Sequence, residues 1–380
     1  MSDDDLAGWQ DGTLIPPRKS QVNRGPMPGQ RRTRMFRFLR LKGARSKAKP
    51  PLQFLRLQLW PWLEARMSLK QLELRAGPAE RLAAKGTVVV ASHYGNHEIV
   101  DAFVDHHRGL GIREFVFLDL SDDGGLAAHP GSAGHAVWRP RSMADIEPLT
   151  LWLNGLRTRY AAGRWCLSLD TSDAFVFYRC ESRRIGDFTE FLESESRDHV
   201  YALTVEMYGT EPAADLVAAA GGRPPFGALD HFDPFGFVTL DPGRFRNVIV
   251  RGGLQRRTLF RTRPRQSPAL NRVPLVKWRW FYGYKAGTRL ILPMHLNNPH
   301  ARWHSSPTGC ILRFALLNDR ATLEAAGRWE QAVAVKDGGL AAYPGLSRLR
   351  EIALMQDVSR RYTGTRDLVD CGLLNPGQWF

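Results

Sequence analysis

Between residues 87 and 170, short β-branched runs alternate with helix-length amphipathic ones, and this alternation restricts the chain more than any other feature. "TVVVAS" (87 to 92) reads as a strand, "NHEIVDAFVDHHRGLG" (96 to 111) as a helix with Ile99, Val100, Phe103 and Val104 on one face, and "REFVFLDL" (113 to 120) as a second strand. That order is a βαβ unit. The loop "SDDGGLAAHPGSAG" follows, then a helical pattern from Met143 to Ala161, then a strand from Arg164 to Leu169 that runs out into Asp170 and Asp173. Successive units of this kind build an α/β sheet whose ligands lie beyond the carboxyl ends of its strands. Asp119, Asp122, Asp123, Asp170 and Asp173 are therefore expected along one sheet edge.

With 380 residues, 43% of them hydrophobic, the chain can bury the core such a sheet needs. It has no run approaching the roughly 18 apolar residues of a spanning helix, and "MSDDDLAGWQ" lacks the apolar stretch of a secretory signal, so the expected location is cytoplasmic. Cys166, Cys180, Cys310 and Cys371 lie far apart, a spacing that suits neither a zinc knuckle nor a disulfide framework.

The net charge of +15 is concentrated in one segment. Between Arg18 and Pro50 the chain carries twelve Lys or Arg and no Asp or Glu, which accounts for all but three of the net positive charges. We read residues 1–70 as a basic, partly disordered arm whose amphipathic segment interleaves Arg37 and Arg40 with Phe54, Trp60 and Trp62. Such a tract suits an anionic membrane surface, where each cation adds roughly 1 kcal/mol. It equally suits packing of its apolar tail on the domain behind it. Nucleic acid is the least favoured partner, because no nucleic-acid motif accompanies the arm.

From residue 85 onward the order of motifs resembles the bacterial family 2 glycosyltransferase-like proteins of the GT-A fold. Against that family's "YHRxLG", "DNxSxDGT" and "WxLxxDxDELLVYP" this chain has "HHRGLG" (106 to 111), "DLSDDGG" (119 to 125) and "WCLSLDTSDAFVFY" (165 to 178). "VEMYG" (205 to 209), "RGGLQRR" (251 to 257), "LNRVPLVKW" (270 to 278), "LPMHLNN" (292 to 298) and "YTGTRDLVDCGLL" (362 to 374) look like its later landmarks. The resemblance implies a GT-A-like (Rossmann-like) mixed sheet flanked by helices over 85–317, then a helical C-terminal cap over 318–380. It implies a nucleotide-sugar donor and a surface polysaccharide or lipid-linked glycan acceptor, on the inner face of the inner membrane. Mn²⁺ or Mg²⁺ would be held by Asp170 and Asp173 against the donor diphosphate. Asp119, Asp123, Asp170, Arg257, Arg289 and Arg313 would contact the nucleotide sugar, and Glu206 with Asp173 would handle the acceptor's proton.

Three departures bear on that chemistry. Ser172 stands where the second metal carboxylate is expected, while Arg289 and Arg313 stand where the family carries histidines. Either these arginines replace the metal's charge in a metal-independent transferase, or the fold persists as a catalytically degenerate binding or scaffolding partner, a pseudoenzyme. Single residues also have plainer uses. Asp170 to Asp173 is good turn chemistry, Asp119 can cap a turn, Glu206 can be a structural hydrogen-bond partner, and Arg257 can be an ordinary surface arginine.

Two histidine pairs complete the candidates. His300 and His304 have helical metal-pair spacing, but Pro299 and Pro307 favour a loop, and His106 and His107 are expected on different faces of their helix. The Gly-, Pro- and Asp-rich stretch 209–245 reads as a long excursion over the sheet edge, suited to acceptor recognition. Helical patterns are expected around Ala321 to Ala334 and Gly345 to Arg361.

Overall fold

The computed structural model describes residues 62–80, 85–143, 149–221, 226–240, 249–297, 306–336 and 345–379. All of them belong to one unit, Lys49–Phe380. Its centre is a sheet of nine strands: β1 (Leu72–Ala76), β2 (Thr87–His93), β3 (Glu114–Asp119), β4 (Ala136–Pro140), β5 (Trp165–Asp170), β6 (Asp173–Phe177), β7 (His199–Glu206), β8 (Asn271–Lys277) and β9 (Gly309–Arg313). They lie in the order β1-β4-β3-β2-β5-β8-β7-β9-β6. Neighbours β4, β3, β2 and β5 are parallel, as are β7 and β9, while β1, β8 and β6 run antiparallel to their partners. The sheet is thus mixed and largely parallel, as the strand and helix alternation implies.

Every residue of β2 and β3 is buried, which is what a strand covered by helices on both faces requires. Period-two alternation divides β3 between two layers. Phe115 and Phe117 meet Phe103 of α1 (Ile99–Gly109), each with ring centroids 6.2 Å apart. Leu118 faces the other way and shares its register with Trp138, whose indole N–H donates to the Tyr160 hydroxyl of α2 (Leu149–Ala161) at 2.9 Å. A third helix, α3 (Ile185–Ser194), stacks Phe188 on Phe177 of β6 at 4.6 Å.

His106 and His107 do not diverge as expected. His106 Nε2 donates to the Phe175 carbonyl (2.9 Å), and His107 Nε2 accepts from the Phe175 N–H (3.3 Å), so two adjacent helix positions bracket one residue of β6. The β6 backbone runs close enough to α1 for both rings to reach it.

The C-terminal region contains α4 (Arg320–Lys336), whose Trp329 packs on Trp152 of α2 at 6.1 Å. The helix expected across Gly345 to Arg361 reduces to one turn, Leu346–Leu349, before a strap without helix. Tertiary bonds override its helical period. The Leu354 carbonyl accepts from Arg257 (2.7 Å), Ser359 Oγ accepts from the Tyr208 hydroxyl (2.8 Å), and Arg360–Arg361 pairs with His231–Phe232 as a short two-stranded ladder. The excursion after β7 is thereby tied to the C-terminal strap.

Candidate functional site

Strand pairing assembles the site. Arg313, the last residue of β9, is the register partner of Asp173 on β6 and of Glu206 on β7. Register partners share a sheet face, so three side chains far apart in sequence form a row, acid, base, acid, at one edge. Asp170 closes β5 at the same edge, three residues before Asp173.

Arg313 faces the two aspartates. Its Nε donates to Asp173 Oδ1 at 2.9 Å and its Nη2 to Asp173 Oδ2 at 3.1 Å, a bidentate fork, while Nη2 also lies 3.6 Å from Asp170 Oδ2. Arg313 and Asp173 are only 5% and 2% exposed, so the pair sits out of water where a charge is tolerated only with a partner. The turn Asp170 to Asp173 is present as well, the Asp170 N–H donating to Asp173 Oδ2 at 3.4 Å. The aspartates thus make the turn, and Arg313 lies against both of their carboxylates.

Glu206 is buried, and burial pushes its carboxyl above the ordinary carboxylate range, against the pull of Gln255 and Arg313. Its Oε2 accepts from the Gln255 N–H (2.9 Å) and its Oε1 from the Gln255 side-chain amide. This grip depends on Gly253, whose φ of +65° is in the left-handed region and whose Cβ, were there one, would stand 3.1 Å from Glu206 Oε2. The geometry therefore gives Glu206 the structural role. Gln255→Leu, which keeps the volume and removes the donor, should cost about 1–3 kcal/mol in urea unfolding; an unchanged midpoint would remove that role.

A second constellation lies at the ends of β2 and β3, and motif reading did not single it out. Asp123 accepts from His97 Nε2 at 3.0 Å, His97 Nδ1 meets His93 Nε2 at 2.9 Å, and His93 Nδ1 meets Thr171 Oγ1 at 3.1 Å. One tautomer set satisfies all three contacts: Thr171 donates to His93, His93 to His97, and His97 to Asp123. Burial first, then neighbouring His97, lowers the His93 pKa to about 3, which keeps the ring neutral. Partial burial opposes ionisation of Asp123, but the Gly125 N–H and His97 outweigh it and hold the carboxyl below its usual range. The chain thus links solvent-facing Asp123 to the turn between Asp170 and Asp173. Its signal in the sequence was the spacing of His93 and His97 around a strand end, which becomes meaningful only once Asp123 and Thr171 are brought beside them.

Among the described residues, the group of three metal-ligating side chains whose ligand atoms converge within 4.8 Å is Glu98, Asp101 and His129. Asp101 is exposed, and His129 Nδ1 already accepts from the Gly131 N–H at 3.1 Å.

The remaining candidates separate. Asp119 is 1% exposed and accepts from the Ser121 N–H (3.0 Å) and hydroxyl (2.5 Å), with Arg139 at 3.4 Å, so it caps its turn. Arg257 pairs with Asp233 at 2.7 Å and stacks over Tyr208, holding the excursion in place rather than facing the row. Arg289 lies half-buried in the turn before Leu290, near enough for its charge to bear on Arg251, which sequence reasoning did not propose as a ligand contact. Trp62, half-buried, meets Trp280 edge to face at 5.9 Å. Arg37, Arg40, Phe54, Trp60, His300 and His304 lie outside the described residues. Among the described residues no helix is long and apolar enough to cross a membrane.

Neither a protein-family model nor a curated protein matches this chain.

Proposed function

We propose that this chain is a glycosyltransferase-like protein of the GT-A type that engages the diphosphate of a nucleotide sugar without a divalent metal. The observation that carries the reading is the bidentate fork of Arg313 on Asp173, with Asp170 beside it, at the carboxyl edge of a largely parallel sheet. A metal site on these carboxylates needs both of them available with their charge uncompensated. Here a guanidinium already supplies the positive charge, in keeping with Ser172 in place of a further carboxylate. The donor would be a nucleotide sugar and the acceptor a glycan, recognised by the excursion 209–245.

A second reading, a degenerate member that keeps the donor site without transfer, is favoured by one specific fact. Asp173 and Glu206, the two carboxylates proposed for proton transfer, are both spent on internal partners. Calorimetric titration with UDP- and GDP-sugars, in Mn²⁺ and in EDTA, tests both readings. We expect binding that EDTA leaves unchanged within about twofold, since no metal bridges ligand and protein. Binding that requires Mn²⁺ would overturn the metal-free reading, and metal-free binding without release of the nucleoside diphosphate over hours would select the degenerate one.

A further inference from the structure

With Arg313 committed to its aspartates, the site needs another source of positive charge, and the sheet edge carries one. Strand β8 begins at the carboxyl edge because it runs antiparallel to β5 and β7, and its first residues hold two neighbouring segments. The Val250 N–H donates to Asn271 Oδ1 (3.1 Å) and the Leu270 N–H to the Val250 carbonyl (2.8 Å), which pins the strand Ile249–Arg251. The Val273 N–H donates to the Thr288 carbonyl (2.8 Å), which pins the turn that carries Arg289. Two arginines are thus set side by side on one anchor.

Among the described residues no carboxylate lies within ion-pair distance of Arg251 or Arg289, and the Nε of Arg251 is buried with no hydrogen-bond partner. Among the described residues the charged neighbour that bears on Arg251 is Arg289, and burial together with that like charge lowers its pKa. Two guanidiniums held together away from acids, one with an unmet donor, repel each other unless an anion joins them. Three other arginines are differently placed: half-buried Arg257 has Asp233, half-buried Arg139 has Asp119, and buried Arg313 has Asp173.

We propose that Arg251 and Arg289 form the oxyanion site of this protein and that its ligand is a phosphoanhydride, the diphosphate of the nucleotide sugar. The inference rests on the reading above for the rest of that ligand. A diphosphate matches the pair in charge and in its several acceptor oxygens, and guanidinium forks bind such oxygens in pairs. Chain continuity brings the pair to the row already described, since Arg251 is two residues before Gly253, which touches Glu206.

The test is calorimetry on the full chain in EDTA, with inorganic pyrophosphate, UDP-glucose and GDP-mannose as separate titrants, for the wild type, Arg251→Gln and Arg289→Gln. We expect each substitution to weaken pyrophosphate roughly ten- to hundredfold, the loss of one charge-assisted contact. Without ligand, the melting temperature should hold or rise in both variants, because a like-charge repulsion has been removed; a merely structural arginine would lower it. Pyrophosphate bound equally by all three proteins would overturn the proposal. A sugar nucleotide bound equally by all three would overturn it while leaving the nucleotide-sugar reading intact. Arginine-dependent binding of pyrophosphate without either sugar nucleotide would keep the oxyanion site and count against the nucleotide-sugar reading. A wild type that binds none of the three would overturn both.

Discussion

Arg313→Met should destabilise the protein by about 3–5 kcal/mol, the cost of breaking a buried ion pair from one side. The methionine fills much the same volume, so the loss comes from Asp173, which is 2% exposed and would keep its charge without the fork that now neutralises it. The double variant with Asp173→Asn should recover much of it, because the orphaned charge is gone. The same substitution also tests the metal question. It removes the guanidinium that now lies against Asp170 and Asp173, and millimolar Mn²⁺ should raise the melting temperature of Arg313→Met while leaving that of the wild type in place. A loss below about 1 kcal/mol, the range of an exposed pair, would mean that Arg313 does not hold these aspartates.

Acidification should unfold the protein through its buried histidines. In the folded state His93 has a pKa of about 3, and His107 titrates well below the ordinary value of 6.5, in both cases chiefly because burial penalises the charged ring. Buried His135, beside Arg108, is lowered to about 4, chiefly by burial. For a group whose folded pKa is depressed, the unfolded chain binds the proton first. A histidine of this kind therefore loses stability as pH falls below 6.5, and the loss continues until the folded pKa is reached. At pH 5 that is about 2 kcal/mol for His93, from roughly 1.4 kcal/mol per unit of pKa difference, and His107 adds to the loss in the same direction. Glu206, with its raised pKa, works in the opposite sense and offsets part of the fall. Thermal melts at pH 7.5 and 5.0 measure the sum, and His93→Asn isolates one contribution, since the asparagine does not titrate and the variant's melting temperature should drop less. Equal drops in variant and wild type would remove His93 from the account.

These two predictions concern residues of very different visibility in the sequence. Arg313 stood out as a cation where a histidine was expected, and both Asp170 and Asp173 were visible as a strand running into carboxylates. What linear reading missed was that they are each other's partners. Arg313 was expected to meet a phosphate, and instead it forks onto Asp173, because β9 lies between β6 and β7 and its register brings residue 313 opposite 173 and 206. His93 and His97 carried no recognisable motif, and their link to Asp123 and Thr171 spans two strand ends.

The strands and helices from residue 87 to residue 177 were legible because their apolar periods are local: β-branched runs for β2, and a 3.6-residue stripe for α1. Boundaries agreed to within a residue or two for β2, β3 and β5. The segment after Leu349 was misread for the opposite reason. Its apolar spacing suggests a helix, but Arg257, Tyr208 and the strand His231–Phe232 claim its polar groups from far away in the sequence, 97 residues in the case of Arg257 and 151 in that of Tyr208.

Composition and local period were thus enough for the α/β class and for carboxylates at a sheet edge, since both follow from interactions a few residues long. Which carboxylates are neutralised, which arginines are left without an anion, and which histidines stay neutral were decided by tertiary structure alone. A charge in a folded protein is defined by what lies within a few ångströms of it, and strand order, not sequence order, determines those neighbours.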